Sequence, residues 1–116
     1  MTNEELILGW SQITQWWKGR FDKAPDLNAI LFMIGIRELG QVKEQWKKEE
    51  KMDVMHIAIC SLLSTDGYYT LEMIDDDGWP HYDQIKELPA LDIFEQEMML
   101  KKQVIKYFRA EEILDS

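Results

Sequence analysis

Asp53, His56 and Cys60 stand three and four residues apart, Asp-x-x-His-x-x-x-Cys, in a stretch whose composition reads as helix. On a helix that spacing brings carboxylate, imidazole and thiol to one side, where they could share a metal ion. A buried di-iron centre asks for more: a Glu-x-x-His on each of two helices and a Glu on each of two others. Here one such pair exists, its acid is Asp, and the only other histidine is His81. A single-ion site would need a further carboxylate such as Glu38 or Glu97. The sequence therefore assigns no metal site. It leads instead to a core histidine, because Met52, Ile59 and Leu63 surround His56 on the helical projection.

Two other charged groups interrupt apolar surfaces. Glu97 and Lys101, four apart, fall between two apolar stripes of the last helix, and Arg37 and Glu38 break an otherwise apolar second helix. A charge on such a bearing is costly to bury unless it is paired. The simplest arrangements are Arg37 with Glu97, or Glu38 with Lys101 or His56. Such pairs often only fix register, but titratable groups in an apolar pocket are also the usual precursor of acid–base chemistry. Arg37, Glu38, Asp53, His56, Glu97 and Lys101 thus form the candidate pocket.

No catalytic residue is assigned. Cys60 has no Cys-x-x-Cys partner, and its apolar neighbours raise rather than lower a thiol pKa. Gly35 and Gly40 lie in or at a helix with no following Lys-Ser or Lys-Thr, so there is no phosphate loop and no cofactor is implied. Asp75-Asp76-Asp77-Gly78 fails the calcium-loop template: with Gly78 at the sixth position, Met73 and Gln84 fall where carboxylates belong. Asp75, Asp76, Asp77, Trp79 and His81 form a candidate binding loop, since Trp79-Pro80-His81 is aromatic and polar at once. The plainer reading is a loop pinned to the core by Trp79 and Tyr82.

The elements that must position these groups read as four helices, about 3–19, 26–40, 48–65 and 90–114. Leu6, Trp10, Ile13, Trp17 and Phe21 mark one face of the first, with Leu8 and Trp16 off that stripe. The second is apolar on every bearing, which demands cover on all sides. Gly40 fits a C-cap for it, a last turn or two through Val42 and Trp46 beyond a kink there being the alternative, and Met52, Met55, Ile59, Leu62 and Leu63 form the stripe of the third. The expected fold is all-α, a four-helix bundle-like single domain. An irregular acidic loop joins helices three and four over 67–88, a short hairpin across Asp76–Gly78 being the alternative.

Composition narrows the function classes. The chain has 116 residues and a net charge of −9. Residues 66–100 hold ten acidic side chains against Lys86 alone. Because the remaining 12 acidic and 12 basic residues cancel, that segment carries the whole imbalance. Such a field repels phosphate backbones and attracts basic proteins, so no nucleic acid is expected and a basic partner fits. The longest stretches free of charge are 12 residues, Leu6–Trp17 and Val54–Thr65, against the ~18 that a bilayer span requires. One cysteine, and Glu4 and Glu5 where an export signal would carry Lys or Arg, fit a reducing, cytoplasmic setting.

Five tryptophans and seven methionines are residues that interfaces enrich. The expected function is accordingly a non-enzymatic helical interaction or structural module. It self-associates as a homodimer through Leu8, Trp16 and a face of 27–39. The alternative is a small enzyme or ligand- or metal-binding protein with a polar pocket around His56, Arg37, Glu38 and Glu97. An acidic mimic of nucleic acid, occupying another protein's basic groove, is the third reading.

Overall fold

The structure, a computed structural model, describes residues 1–115. It has α1 (Asn3–Phe21), α2 (Leu27–Leu39), α3 (Lys48–Ser64), β1 (Tyr69–Ile74), β2 (Pro80–Gln84), α4 (Ile93–Ala110) and a 3₁₀ turn, Ile113–Asp115. The all-α bundle expectation is corrected: four helices are present, but β1 and β2 form an antiparallel sheet, so the fold mixes helix with sheet. Tyr68-Tyr69-Thr70-Leu71 has extended propensity and the acidic turn closes a hairpin, which outweighs the loop reading of 67–88. No helix among the described residues is long and apolar enough to cross a membrane.

The chain divides into two compact units, residues 1–27 with 90–116, and residues 28–89. In the first, the Thr2 side chain accepts from the Glu5 backbone N–H at 3.1 Å and starts α1, with Glu4 and Glu5 in the first turn. Asp92 accepts from the Glu95 N–H at 2.8 Å to start α4, two residues after the break at Pro89–Ala90. Both caps satisfy backbone donors that a helix start leaves open. The Lys101 ammonium lies 4.9 Å from the Trp10 ring centre, and Trp16 meets Phe108 edge-on at 5.5 Å. A Cβ on Gly9 would stand 2.9 Å from Ile105 Cγ2. The contacts climb both helices together, so α1 and α4 run parallel and bring their N-terminal ends to the same end of the pair. Leu6, Ile13, Trp17, Val104, Ile105 and Phe108 are the buried apolar groups of this unit, with Ile113.

In the second unit α2 ends where Gly40, at φ +74°, takes the left-handed conformation and donates its N–H to the Ile36 carbonyl at 2.9 Å. This is the usual glycine stop of a helix. Residues 41–47 are not helical and Val42 is 89% exposed, so the expected continuation through Val42 and Trp46 does not occur. Trp46 instead turns back edge-on to Phe32, 5.8 Å between ring centres. Leu39, Val54 and Ile57 form a buried cluster against which Phe32, Ile36, Trp46, Trp79 and Tyr82 pack. The stripe expected for α3 holds in part: Leu62 and Leu63 are buried and Met55 and Ile59 half-buried, but Met52 is 64% exposed and Val54, Ile57, Ala58 and Cys60 are buried as well.

Candidate functional site

The polar groups of the second unit converge where the C-terminal half of α2, α3 and the hairpin meet. Ser61 Oγ donates to Glu38 Oε1 at 2.6 Å. Tyr82, brought in by β2, lies near Ser61, the Glu38 carboxylate and Cys60. Cys60 Sγ lies 3.4 Å from His56 Nε2, one turn apart on α3. Tyr69, on β1, stands against Cys60. Side chains of two helices and both strands thus come together here.

Electrostatics decides what this cluster can do. Burial pushes the Cys60 thiol up to about 11. Burial, and after it the Glu38 carboxylate, raises the Tyr82 phenol, with the neighbouring Ser61 acting the other way. Tyr69 is raised first by burial and then by Cys60. Two phenols and a thiol are therefore held protonated at neutral pH. A nucleophilic cysteine needs the opposite, a lowered pKa and partial exposure. The arrangement ties α2 to α3 through Glu38 and Ser61, and the hairpin rests on it by packing of Tyr82.

The sequence-derived pocket residues resolve in part. Glu38 and His56 belong to this cluster, through Ser61 and Cys60. His56 is exposed at the surface of α3, contrary to the expected core histidine, and Asp53 and Arg37 are exposed as well. Glu97 and Lys101 lie in the first unit, where they face each other at 3.9 Å across one helical turn, with Lys101 over Trp10. Among the described residues no group of three His, Cys, Asp or Glu side chains is placed to hold a metal ion. Ser61 and Tyr69 carry no sequence signal for this cluster, and Tyr82 was expected only as an anchor of the loop. Glu38 and Ser61 are 23 positions apart on different helices, so no spacing rule joins them.

The candidate loop is the hairpin turn. Asp75 Oδ1 accepts from the Asp77 and Trp79 backbone N–H groups, each at 2.9 Å, and Oδ2 lies 2.8 Å from His81 Nε2. The His81 bond, then the Trp79 and Asp77 amides, hold the Asp75 carboxyl below its ordinary range. Gln41 Nε2 donates to the Asp77 carbonyl at 2.7 Å, tying the turn to the 41–47 segment. Asp75 is thus spent on turn geometry while Asp76 and Asp77 face solvent, and Trp79 is half-buried against the Leu39–Val54–Ile57 cluster as expected of an anchor.

Of the two expected interface residues, Leu8 is 58% exposed. Trp16 is half-buried by its own unit, between Phe108 and the Arg20 guanidinium 4.6 Å from its ring centre. Near the N-terminal ends of α1 and α4 an open groove of about 370 Å³ is lined by Leu91, Phe94, Met98 and Met99, with Asn3, Glu95 and Lys102. Compared with protein-family models, curated proteins and solved structures, the chain matches none. Its role must therefore be argued from these surfaces.

Proposed function

We propose that the protein is a non-enzymatic interaction module that self-associates as a homodimer through the N-terminal ends of α1 and α4. The observation that carries this reading is the exposed apolar surface there: Ile7 70%, Leu8 58%, Ile93 84% and Phe94 67% exposed, beside the apolar groove. Single exposed apolar residues are ordinary, but several at one end of a helix pair mark a contact surface. Full burial of each is worth roughly 1.5–3 kcal/mol. Two copies contribute the patch twice, which exceeds or meets association costs on the order of 4–15 kcal/mol. A two-fold axis lets one patch cover itself. A cytoplasmic setting belongs to the same reading, since the one cysteine is free and buried.

Sedimentation equilibrium at low micromolar concentration tests it. The expected mass is near twice 13.8 kDa, and Leu8→Glu with Ile93→Glu, both at exposed positions, should return it to the monomer value. A wild-type monomer at that concentration, or a dimer indifferent to both substitutions, overturns the reading.

A further inference from the structure

The hairpin offers a second surface with a different occupant. Its sheet has two strands, so each has an outer edge without a neighbouring strand. β2 begins at Pro80, which has no N–H to donate and blunts that edge. β1, Tyr-Thr-Leu-Glu-Met-Ile, contains no proline and exposes Leu71 49%, Met73 51% and Ile74 61%. A bulge between Leu71 and Met73 leaves Glu72 without a cross-strand partner. Sheet edges are normally protected against other strands by lysines, prolines or bulges. β1 has the bulge but neither lysine nor proline, and carries Glu72 in their place.

Charge selects the occupant. Residues 69–84 hold Glu72, Asp75, Asp76, Asp77 and Asp83 and neither Lys nor Arg. Asp75 is engaged by His81, leaving Glu72 on β1, Asp76 and Asp77 in the turn, and Asp83 across on β2. Pairing β1 with β1 of a second copy would set those carboxylates against their equivalents, and like charges directly opposed are destabilising. A strand with Lys or Arg alternating with apolar residues meets both features, with backbone bonds along the edge and ion pairs beside it. The hairpin behind is fixed, through Trp79 and Tyr82 against Leu39, Val54 and Ile57, so the edge is a preformed template. We propose that the outer edge of β1 receives an extended, basic segment of a partner protein as a third strand.

The probe is a fluorescein-labelled, end-capped peptide of four Lys-Val repeats, measured by anisotropy and by amide exchange of the protein. Expected is binding that weakens at least tenfold when salt is raised from low to several-fold physiological, with added protection confined in the hairpin to β1. Glu72→Lys with Asp76→Lys and Asp77→Lys should weaken binding tenfold or more, while circular dichroism stays that of the wild type. A probe N-methylated at alternate residues, unable to complete the ladder, should not bind, and a Glu-Val probe should not bind either. The Leu8→Glu and Ile93→Glu protein should bind as well as wild type, because this edge is separate from the proposed dimer surface. Equal binding of the N-methylated probe, tighter binding of a helical basic peptide of the same charge, no binding at millimolar probe, or no protection of β1 would each overturn the proposal.

Discussion

Gly35→Ala is a substitution whose sign the structure reverses. In the middle of a helix, alanine is better than glycine by roughly 0.5–1 kcal/mol, because glycine loses more backbone freedom on folding. At Gly35, however, α2 lies directly against the α3 backbone at Val54. A Cβ placed there would stand 2.1 Å from the Val54 carbonyl oxygen, 2.6 Å from Val54 Cγ1 and 2.8 Å from the Val54 carbonyl carbon. Carbon contacts become favourable only near ~3.5 Å, so the two backbones must separate by more than about 1 Å. The obstacle is main chain, which has no rotamer to change. Val54 is also part of the Leu39–Val54–Ile57 cluster on which Trp79 and Tyr82 rest, so separation there loosens the seat of the hairpin.

Overpacking of a close-packed core costs about 1–3 kcal/mol and occasionally more. With a backbone obstacle the upper end applies, which after the propensity gain leaves a net loss of roughly 2 kcal/mol or more. Gly19 is the internal control: it lies in α1 and a Cβ there meets nothing within 4 Å. Gly19→Ala should therefore stabilise by about 0.5–1 kcal/mol. For a chain this long each kcal/mol moves Tm by roughly 3–5 °C. Gly35→Ala should then melt roughly 6–10 °C lower and Gly19→Ala a few degrees higher. Thermal and urea unfolding followed by far-UV circular dichroism, with tryptophan fluorescence as a second probe, read both. A Gly35→Ala protein as stable as wild type, or two variants shifted in the same direction, refutes the close crossing.

Three further outcomes follow. Trp79→Ala should raise amide exchange across 69–84 more than in α3, because the hairpin can detach locally and much of the ~3–5 kcal/mol of a buried tryptophan is lost as local opening; unchanged protection there shows that the Glu38–Ser61–Tyr82 contacts hold the hairpin alone. The Asp75 carboxyl has a lowered folded pKa, so its contribution is present above the unfolded carboxylate pKa and is lost as pH falls through the folded value. An NMR titration should show the Asp77 and Trp79 amides shifting in that acid range, and Asp75→Asn should remove the transition. The Cys60 thiol, raised to about 11 and buried, should alkylate at neutral pH orders of magnitude more slowly in the folded protein than in urea; equal rates would show that the thiol is not shielded.

The helices were legible because their starts and stops are local. Thr2, Glu4, Glu5 and Gly40 act within a few residues of themselves. The N-terminal end of the α3 stripe was not legible, and the reason lies outside α3. A stripe beginning at Met52 is the best apolar count on that helix alone, but Gly35 lets α2 approach at Val54, and that approach rotates the buried side toward Val54, Ile57 and Ala58. The absence of a side chain on one helix selects the partner side chain on another, and no periodicity within either records it. The polar cluster was hidden for the same reason: Glu38 and His56 could be nominated as charges on apolar helices, whereas Ser61, Tyr69 and Tyr82 acquire their roles only through the register that pairs Leu71 with Tyr82.

The second helix shows how that hidden geometry redirects the argument about self-association. Its apolar surface on every bearing asks for cover, and a four-helix bundle supplies too little, which points to a second copy. In the single chain Ile30, Leu31, Ile34, Gly35 and Leu39 are already buried, and Phe32, Met33 and Ile36 are half-buried. Part of that cover comes from segments that carry no helical signal. Trp46 lies against Phe32, and Trp79 and Tyr82 share the cluster with Phe32 and Ile36. An aromatic in a polar loop counts as core once the loop folds back. In the proposed self-association the contact surface is therefore not α2, which is largely buried within the chain, but Ile7, Leu8, Ile93 and Phe94, which are exposed. A charge placed on Leu8 should disturb association and leave folding alone, whereas a charge at Ile34 should unfold the protein at any concentration. If a charge at Leu8 lowers the monomer's stability as much as one at Ile34, that division of labour is wrong.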